Sequence, residues 1–158
     1  MNNKMAINDS RYKIRSMTDL DLPEVVQIEK DVHLLPWGET QFLDSLVHGY
    51  YCKVVEVRAK IVAYGIVSGF DAFEAEVLRI AVNKLWQRKG IGRNLMEYFI
   101  NYLNCSGKKK IFLEVALSNR TARQLYSAMK FVEIGRRASY YQLSNSRKED
   151  ALVMQREL

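Results

Sequence analysis

Two places in the chain carry residues whose type and setting could do chemistry. The first is Gln87-Arg88-Lys89-Gly90-Ile91-Gly92, with a strand-like run before it and a helix-like run after it. A side chain on either glycine would hold an anion away from backbone N–H groups, which point outward where a helix begins and carry the positive end of its dipole. Lys84, Arg88, Lys89 and Arg93 surround the loop, so the pattern predicts a phosphate cradle; the alternative is a plain turn between strand and helix. The second is Glu114, the one carboxylate in the otherwise apolar run Ile111–Leu117. Burying it as an unpaired ion costs several kcal/mol, so it is expected to face a cleft or to carry a raised pKa. The plainer reading is a strand residue that faces solvent.

The elements that must position these residues are legible in the apolar spacing. Thr18 or Asp21 can cap a first helix on which Val25, Ile28 and Val32 share a face, and it is expected to stop near Pro36. A second helix reads from Glu39 to Val47, with Phe42 and Leu46 on its buried side. Tyr51–Val57 and Lys60–Gly69 read as a hairpin through Arg58-Ala59-Lys60, and Ala75–Val82 as a third strand. The helix after the glycine loop carries Ile91, Leu95, Phe99 and Leu103 at four-residue steps and ends near Ser106-Gly107. After the strand bearing Glu114, Asn119 is placed to cap a helix whose Ala122, Leu125, Tyr126 and Met129 share a face. Phe131–Ile134 and Asp150–Gln155 read as closing strands around a polar loop. This order predicts an α/β fold with a mixed sheet and a parallel βαβ unit at its centre. Residues 1–10 read as a loose, flexible tail and 11–158 as a single domain.

Composition bounds the partners. The 158 residues are enough for one core, which at this size buries about two-thirds or more of the surface of the unfolded chain. Lys and Arg outnumber Asp and Glu by 24 to 18, and the excess gathers at the glycine loop, at Lys108–Lys110, at Arg136-Arg137 and at Arg147-Lys148. Such clusters invite anions, although a solvated basic surface accounts equally well for the lysine run. Cys52 and Cys105 form no disulfide framework, and no charged-then-apolar leader or apolar run of roughly 18 residues is present, which points to a cytoplasmic protein without a membrane span. His33 and His48 have no partner at ligand spacing, so no metal is expected.

Taken together, Gln87-x-x-Gly90-x-Gly92 after a strand, Leu113-Glu114-Val115 further on, Asn119, Leu125-Tyr126 and Phe131 resemble the acetyl-CoA signature of the GNAT N-acetyltransferases. The likeness extends over nearly the whole chain. Within that superfamily, Pro36-Trp37, Arg136-Arg137, Tyr140-Tyr141 and Glu149-Asp150-Ala151 resemble the bacterial enzymes that acetylate the N-terminal alanine of a small-subunit ribosomal protein. The resemblance implies that the backbone of Ile80, Ala81 and Val82 pairs with the pantetheine arm. It further implies that Arg88, Lys89, Gly90, Ile91, Gly92 and Arg93 hold the pyrophosphate and that Asn119 touches the cofactor. Pro36, Trp37, Tyr140 and Tyr141 would then wall the acceptor site. Glu114 would be the general base and Tyr126, a phenol with a reference pKa of about 10, the general acid for the departing thiolate. Taken alone, Tyr126 reads as core.

The sequence departs from that subfamily at Ala116, where Arg is usual, and at Gln142–Ser146, where Pro and Gly are usual. The expected partner is a protein N-terminus, without direct nucleic-acid binding. The rivals are a lysine, polyamine or antibiotic amine as acceptor, and, from another class, an acyl-CoA sensor or a basic RNA-binding module. Glu114 together with Tyr126 argues against the sensor. The lack of clustered aromatics on a strand face argues against RNA.

Overall fold

In the computed structural model, which describes residues 12–69 and 71–158, a short strand β1 (Lys13–Ser16) precedes helices α1 (Leu22–Val32) and α2 (Glu39–Val47). Strands β2 (Tyr51–Val57), β3 (Lys60–Gly69) and β4 (Glu74–Val82) follow, then α3 (Ile91–Cys105), β5 (Lys110–Ala116), α4 (Arg120–Ala128), β6 (Val132–Gln142) and β7 (Lys148–Glu157). The seven strands make one mixed sheet in the order β1-β2-β3-β4-β5-β7-β6. Among the described strands only β4 and β5 run parallel, joined through α3, so the expected βαβ unit is central.

Each face of the sheet has its own core. On one, the α3 stripe Ile91, Leu95, Phe99 and Leu103 packs with Met129, Phe131 and the inward residues Ile111, Leu113 and Val115 of β5. On the other, Leu22, Val25 and Ile28 of α1 and Phe42 of α2 cover Val54, Tyr64 and Ile66. Full burial of each such side chain is worth about 1.5–3 kcal/mol. The helix α3 lies so close to β3 that a Cβ at Gly65 would sit 2.6 Å from the Phe99 ring. A Gly65→Ala change therefore forces the helix away from the sheet.

Three boundaries differ from the sequence reading. Strand β1 was not expected, because a four-residue strand offers too little alternation; it pairs with β2 and is pinned by Arg15, whose guanidinium bridges Glu56 and Asp21. Helix α1 ends at Val32, ahead of Pro36: His33 is already extended and its N–H closes the last turn on Glu29 O. The closing strands are far longer than Phe131–Ile134 and Asp150–Gln155, and the polar loop between them shrinks to residues 143–147. Strand β6 is an exposed edge with register shifts at Glu133/Gly135 and Arg137/Tyr141. Its apolar residues therefore need not alternate, and backbone pairing with β7 alone makes it a strand. The tail reading for residues 1–10 falls outside the described residues.

Candidate active site

The pairing of β4 with β5 stops at Val77 and Leu113, while β4 continues to Val82 and β5 to Ala116. Each strand keeps its outer neighbour over that length, β4 with β3 and β5 with β7. The sheet thus splits into a cleft at the carboxyl ends of its two parallel strands, the usual place for a ligand in such sheets. Helices α3 and α4 begin just past the two lips.

On the β4 lip, Gly90 takes a left-handed φ of +82° and is the N-cap of α3 without any side chain to accept from the first turn. The N–H groups of that turn are left for an external acceptor. Arg88, also left-handed at φ +62°, belongs to the same turn. Gln87 Nε2 donates to Val82 O at 3.0 Å and fastens the loop to the strand end. Lys89 lies over the Trp86 ring at 5.0 Å, and Arg93 stands 3.8 Å from Glu97. A cationic loop with bare amides fits a pyrophosphate. The outward carbonyls of Ile80 and Val82 are both engaged by side chains, the former by His33 Nε2 at 3.2 Å. On the β5 lip, Asn119 caps α4 by accepting from Ala122 N at 3.1 Å.

Glu114 projects from the face of β5 opposite Leu113 and Val115, where no helix covers the strand, and its side chain is 14% exposed. It is neither free nor plainly solvated. Arg137 Nε donates to its Oε1 at 2.6 Å, brought there by the β6 register shift whose apex, Ser139, has φ +55° and donates its N–H to Asp150 Oδ1. Tyr140 sits under the Arg137 guanidinium and edge-to-face with Tyr141. Burial and then the charge of Glu114 raise the phenol pKa of both tyrosines. Glu76 of β4 joins this group, its carboxyl held above the usual range by burial first and by Glu114 second.

Tyr126 lies in the core beneath the cleft, its ring 5.8 Å from Phe131 and its phenol pushed up to about 12 by burial and by neighbouring Tyr141. Its hydroxyl makes no hydrogen bond among the described residues. Trp37 is half-buried against Phe42, while Pro36 is exposed. The Trp37 loop is held from below by Glu29, which is fully buried: Arg79 Nε and Nη2, the Tyr64 hydroxyl and the Trp37 N–H all donate to its carboxylate. Arg79 in turn reaches Leu35 O and stacks on the Trp37 ring, and its charge is felt by Tyr141.

The structure thus gathers Glu114, Tyr140 and Tyr141 with Tyr126 below, and the Arg79 network links them to Trp37. Sequence reasoning missed Glu76, Arg137, Glu29 and Arg79 as parts of the site. A signal existed for Glu29, which follows Leu22 and Val25 on the inward stripe of α1. Among the described residues there is no group of three or more His, Cys, Asp or Glu that could hold a metal ion.

A family model described as the acetyltransferase (GNAT) family matches residues 12–131. The chain belongs to that acetyltransferase family. It is 35% identical over 141 residues to the [ribosomal protein bS18]-alanine N-acetyltransferase of Escherichia coli K12, a match that covers 89% of this chain and 94% of the relative. The crystal structure of the ribosomal-protein-S18-alanine N-acetyltransferase from Escherichia coli superposes with a TM-score of 0.86 at 33% identity, over 92% of this chain and 93% of that one. Ard1 from Thermoplasma volcanium shares the fold at a TM-score of 0.86 and 24% identity, over 94% and 98% of the two chains. The GNAT fold that the resemblance implied is the fold observed.

Proposed function

We propose that this acetyltransferase transfers acetyl from acetyl-CoA to the α-amine of an N-terminal alanine, that of a small-subunit ribosomal protein, in the cytoplasm. The observation that carries the reading is the cleft between β4 and β5, with bare helix amides at one lip and Glu114 among tyrosines at its floor. The relative whose printed function is bS18-alanine N-acetylation supports the acceptor. No helix among the described residues is long and apolar enough to cross a membrane.

In this reading, the cofactor contributes an activated acetyl thioester, and everything else falls to the chain. Arg88, Lys89, Arg93 and the amides of Gly90, Ile91 and Gly92 take the pyrophosphate. Ile80–Val82 offer the strand edge, once His33 and Gln87 release its carbonyls to a ligand amide. Asn119 lends its amide nitrogen at the other lip. Glu114 receives a proton from the ammonium group, directly or through water, and Tyr126 donates one to the leaving sulfur. Pro36, Trp37, Tyr140 and Tyr141 wall the first residue of the acceptor. Attack is direct: Cys52 is buried with its thiol pushed up to about 11, and Cys105 is exposed at the far end of α3.

An α-amine suits this site better than lysine. Its reference pKa is lower by more than two units, so a neutral nucleophile at pH 7 costs about 3 kcal/mol less. The experiment incubates protein and acetyl-CoA with an alanine-first peptide and with its N-terminally blocked copy containing lysines, and locates acetyl groups by mass spectrometry. Labelling of the free α-amine alone is expected. Equal labelling of the blocked peptide would overturn the acceptor assignment.

A further inference from the structure

We propose that Arg137 is a specificity-determining residue of the acceptor site: its guanidinium fills the place on Glu114 that the acceptor's ammonium group takes, and acceptor binding displaces it. The proposal rests on the acetyl-transfer reading above. Arg137 Nε stands 2.6 Å from Glu114 Oε1, and Arg137 makes no other ion pair among the described residues. The cleft carboxylate is thus already matched with a cation that belongs to the chain.

Two small side chains let this cation arrive from an edge strand. Ala116 of β5, Ala151 of β7 and Arg137 of β6 are register partners in one row across the sheet. Opposed residues on paired strands share a face, and Glu114, two residues from Ala116, lies on that same face. The Arg137 side chain therefore crosses β7 over the fully buried Ala151 methyl to reach a carboxylate two strands away. Alanine at 116, where the resembled subfamily usually has Arg, leaves that stretch of floor to Arg137.

The contact is built to be exchanged. The Arg137 side chain is 59% exposed and that of Glu114 14%, so the cation can swing into water but the carboxylate cannot follow. Glu114 left alone would be a poorly solvated charge, a cost that an ammonium group arriving in the same place removes and a neutral group does not. The strand is free to move as well. Among the described strands β6 has no outer neighbour, and its register shifts between Arg137 and Tyr141. The apex of that shift, Ser139, has a left-handed φ of +55° and is tied to β7 by its N–H on Asp150 Oδ1. Tyr140 holds its ring 5.5 Å from the guanidinium, so displacing Arg137 also uncovers an aromatic wall of the acceptor site.

The apparent affinity of a ligand falls with the fraction of sites open to it, so removing the resident cation should raise acceptor affinity. In Arg137→Gln the acceptor KM should fall about threefold to fivefold, the range set by a partly exposed ion pair, with the KM for acetyl-CoA constant within about twofold. Arg137→Lys keeps a cation and should stay nearer wild type. Arg136→Gln removes the same charge from the adjacent residue, whose partner is Glu133, and should leave the acceptor KM alone. Millimolar methylguanidinium, at matched ionic strength, should compete with the acceptor in Arg137→Gln and hardly at all in wild type. An acceptor KM that rises or holds in Arg137→Gln, or that falls equally in Arg136→Gln, overturns the proposal.

The amine is whichever the wild type turns over from an alanine-first peptide, a blocked lysine peptide and spermidine. A wrong acceptor thereby sinks the preceding reading and leaves this test intact. Displacement is also read in the wild-type protein, without turnover and without the Gln variant. Magnetic resonance signals of the Arg137 Nε–H and δ-methylene groups, assigned with Arg137→Lys, should move to free-arginine values as the three amines are titrated in. Signals that stay in place with all three refute displacement.

Discussion

Arg79 of β4 places both Nε and Nη2 on Oε1 of Glu29 in α1, at 2.7 and 2.5 Å, with the carboxylate fully buried and the guanidinium side chain 15% exposed. This pair couples the helix that precedes the Trp37 loop to the strand that lines the cleft. Removing only the cation leaves a buried charge held by neutral donors alone, and breaking such pairs typically costs about 3–5 kcal/mol. Arg79→Met should accordingly lower the urea midpoint by that equivalent. Because Arg79 also holds Leu35 O and the Trp37 ring, the KM for the acceptor should rise as well. A variant of wild-type stability would show that the network is dispensable.

Gly90 and Gly92 should part company on substitution. The left-handed φ of Gly90 makes Gly90→Ala strained by roughly 1–2 kcal/mol, although nothing stands within 4 Å of the added Cβ. A Cβ at Gly92 would meet Val82 Cγ2 at 3.5 Å and Leu125 Cδ2 at 3.9 Å, ordinary contacts that the fold accommodates. Gly92→Ala should therefore melt close to wild type yet bind acetyl-CoA more weakly, with affinity in both proteins falling as salt is added. Isothermal titration at two ionic strengths, beside a thermal melt, measures all of this.

Tyr126→Phe removes one oxygen from a ring that is 7% exposed and packed on Phe131. Packing is preserved. The expected result is a fall in kcat of about 10² with little change in either KM. With its phenol pushed up to about 12, Tyr126 stays protonated throughout the assay range, so an alkaline limb below pH 10 should survive the substitution. Stopped assays across pH 6–10 give both numbers, and near-normal turnover would make the residue purely structural.

Alkaline stability follows from buried acids, the Tyr64 phenol, the Cys52 thiol and the Tyr126 phenol, all raised chiefly by burial. Cys52 is raised from 9.0 to about 11 and Tyr126 from 10.0 to about 12, in each case chiefly by burial. The folded chain thus keeps protons that the unfolded chain would lose, and stability declines wherever the unfolded state binds fewer of them. Melting temperatures should hold steady below about pH 9 and fall progressively as pH climbs through 11. Cys52→Ser should blunt the onset of that fall.

The helices, the central strands and the glycine turn between β4 and α3 were legible because each is written in local pattern. Ile91, Leu95, Phe99 and Leu103 mark a helix by spacing alone, and glycines at 90 and 92 admit backbone to a ligand wherever a strand feeds a helix. Glu114 stood out because a carboxylate interrupts apolar alternation. No such pattern announces a partner that lies well beyond the same element in the chain. That Arg137 would engage Glu114 depends on a two-strand register shift at an exposed edge. That Arg79 would lie buried on Glu29 depends on how α1 crosses β4. That Glu76 would share a floor with Glu114 depends on which strands pair in parallel and where they separate. The chain's own residue types determined which groups could carry protons or hold an anion. Long-range pairing decided which charges meet, because electrostatic coupling is set by distance and burial in three dimensions and neither is encoded by neighbours along the chain.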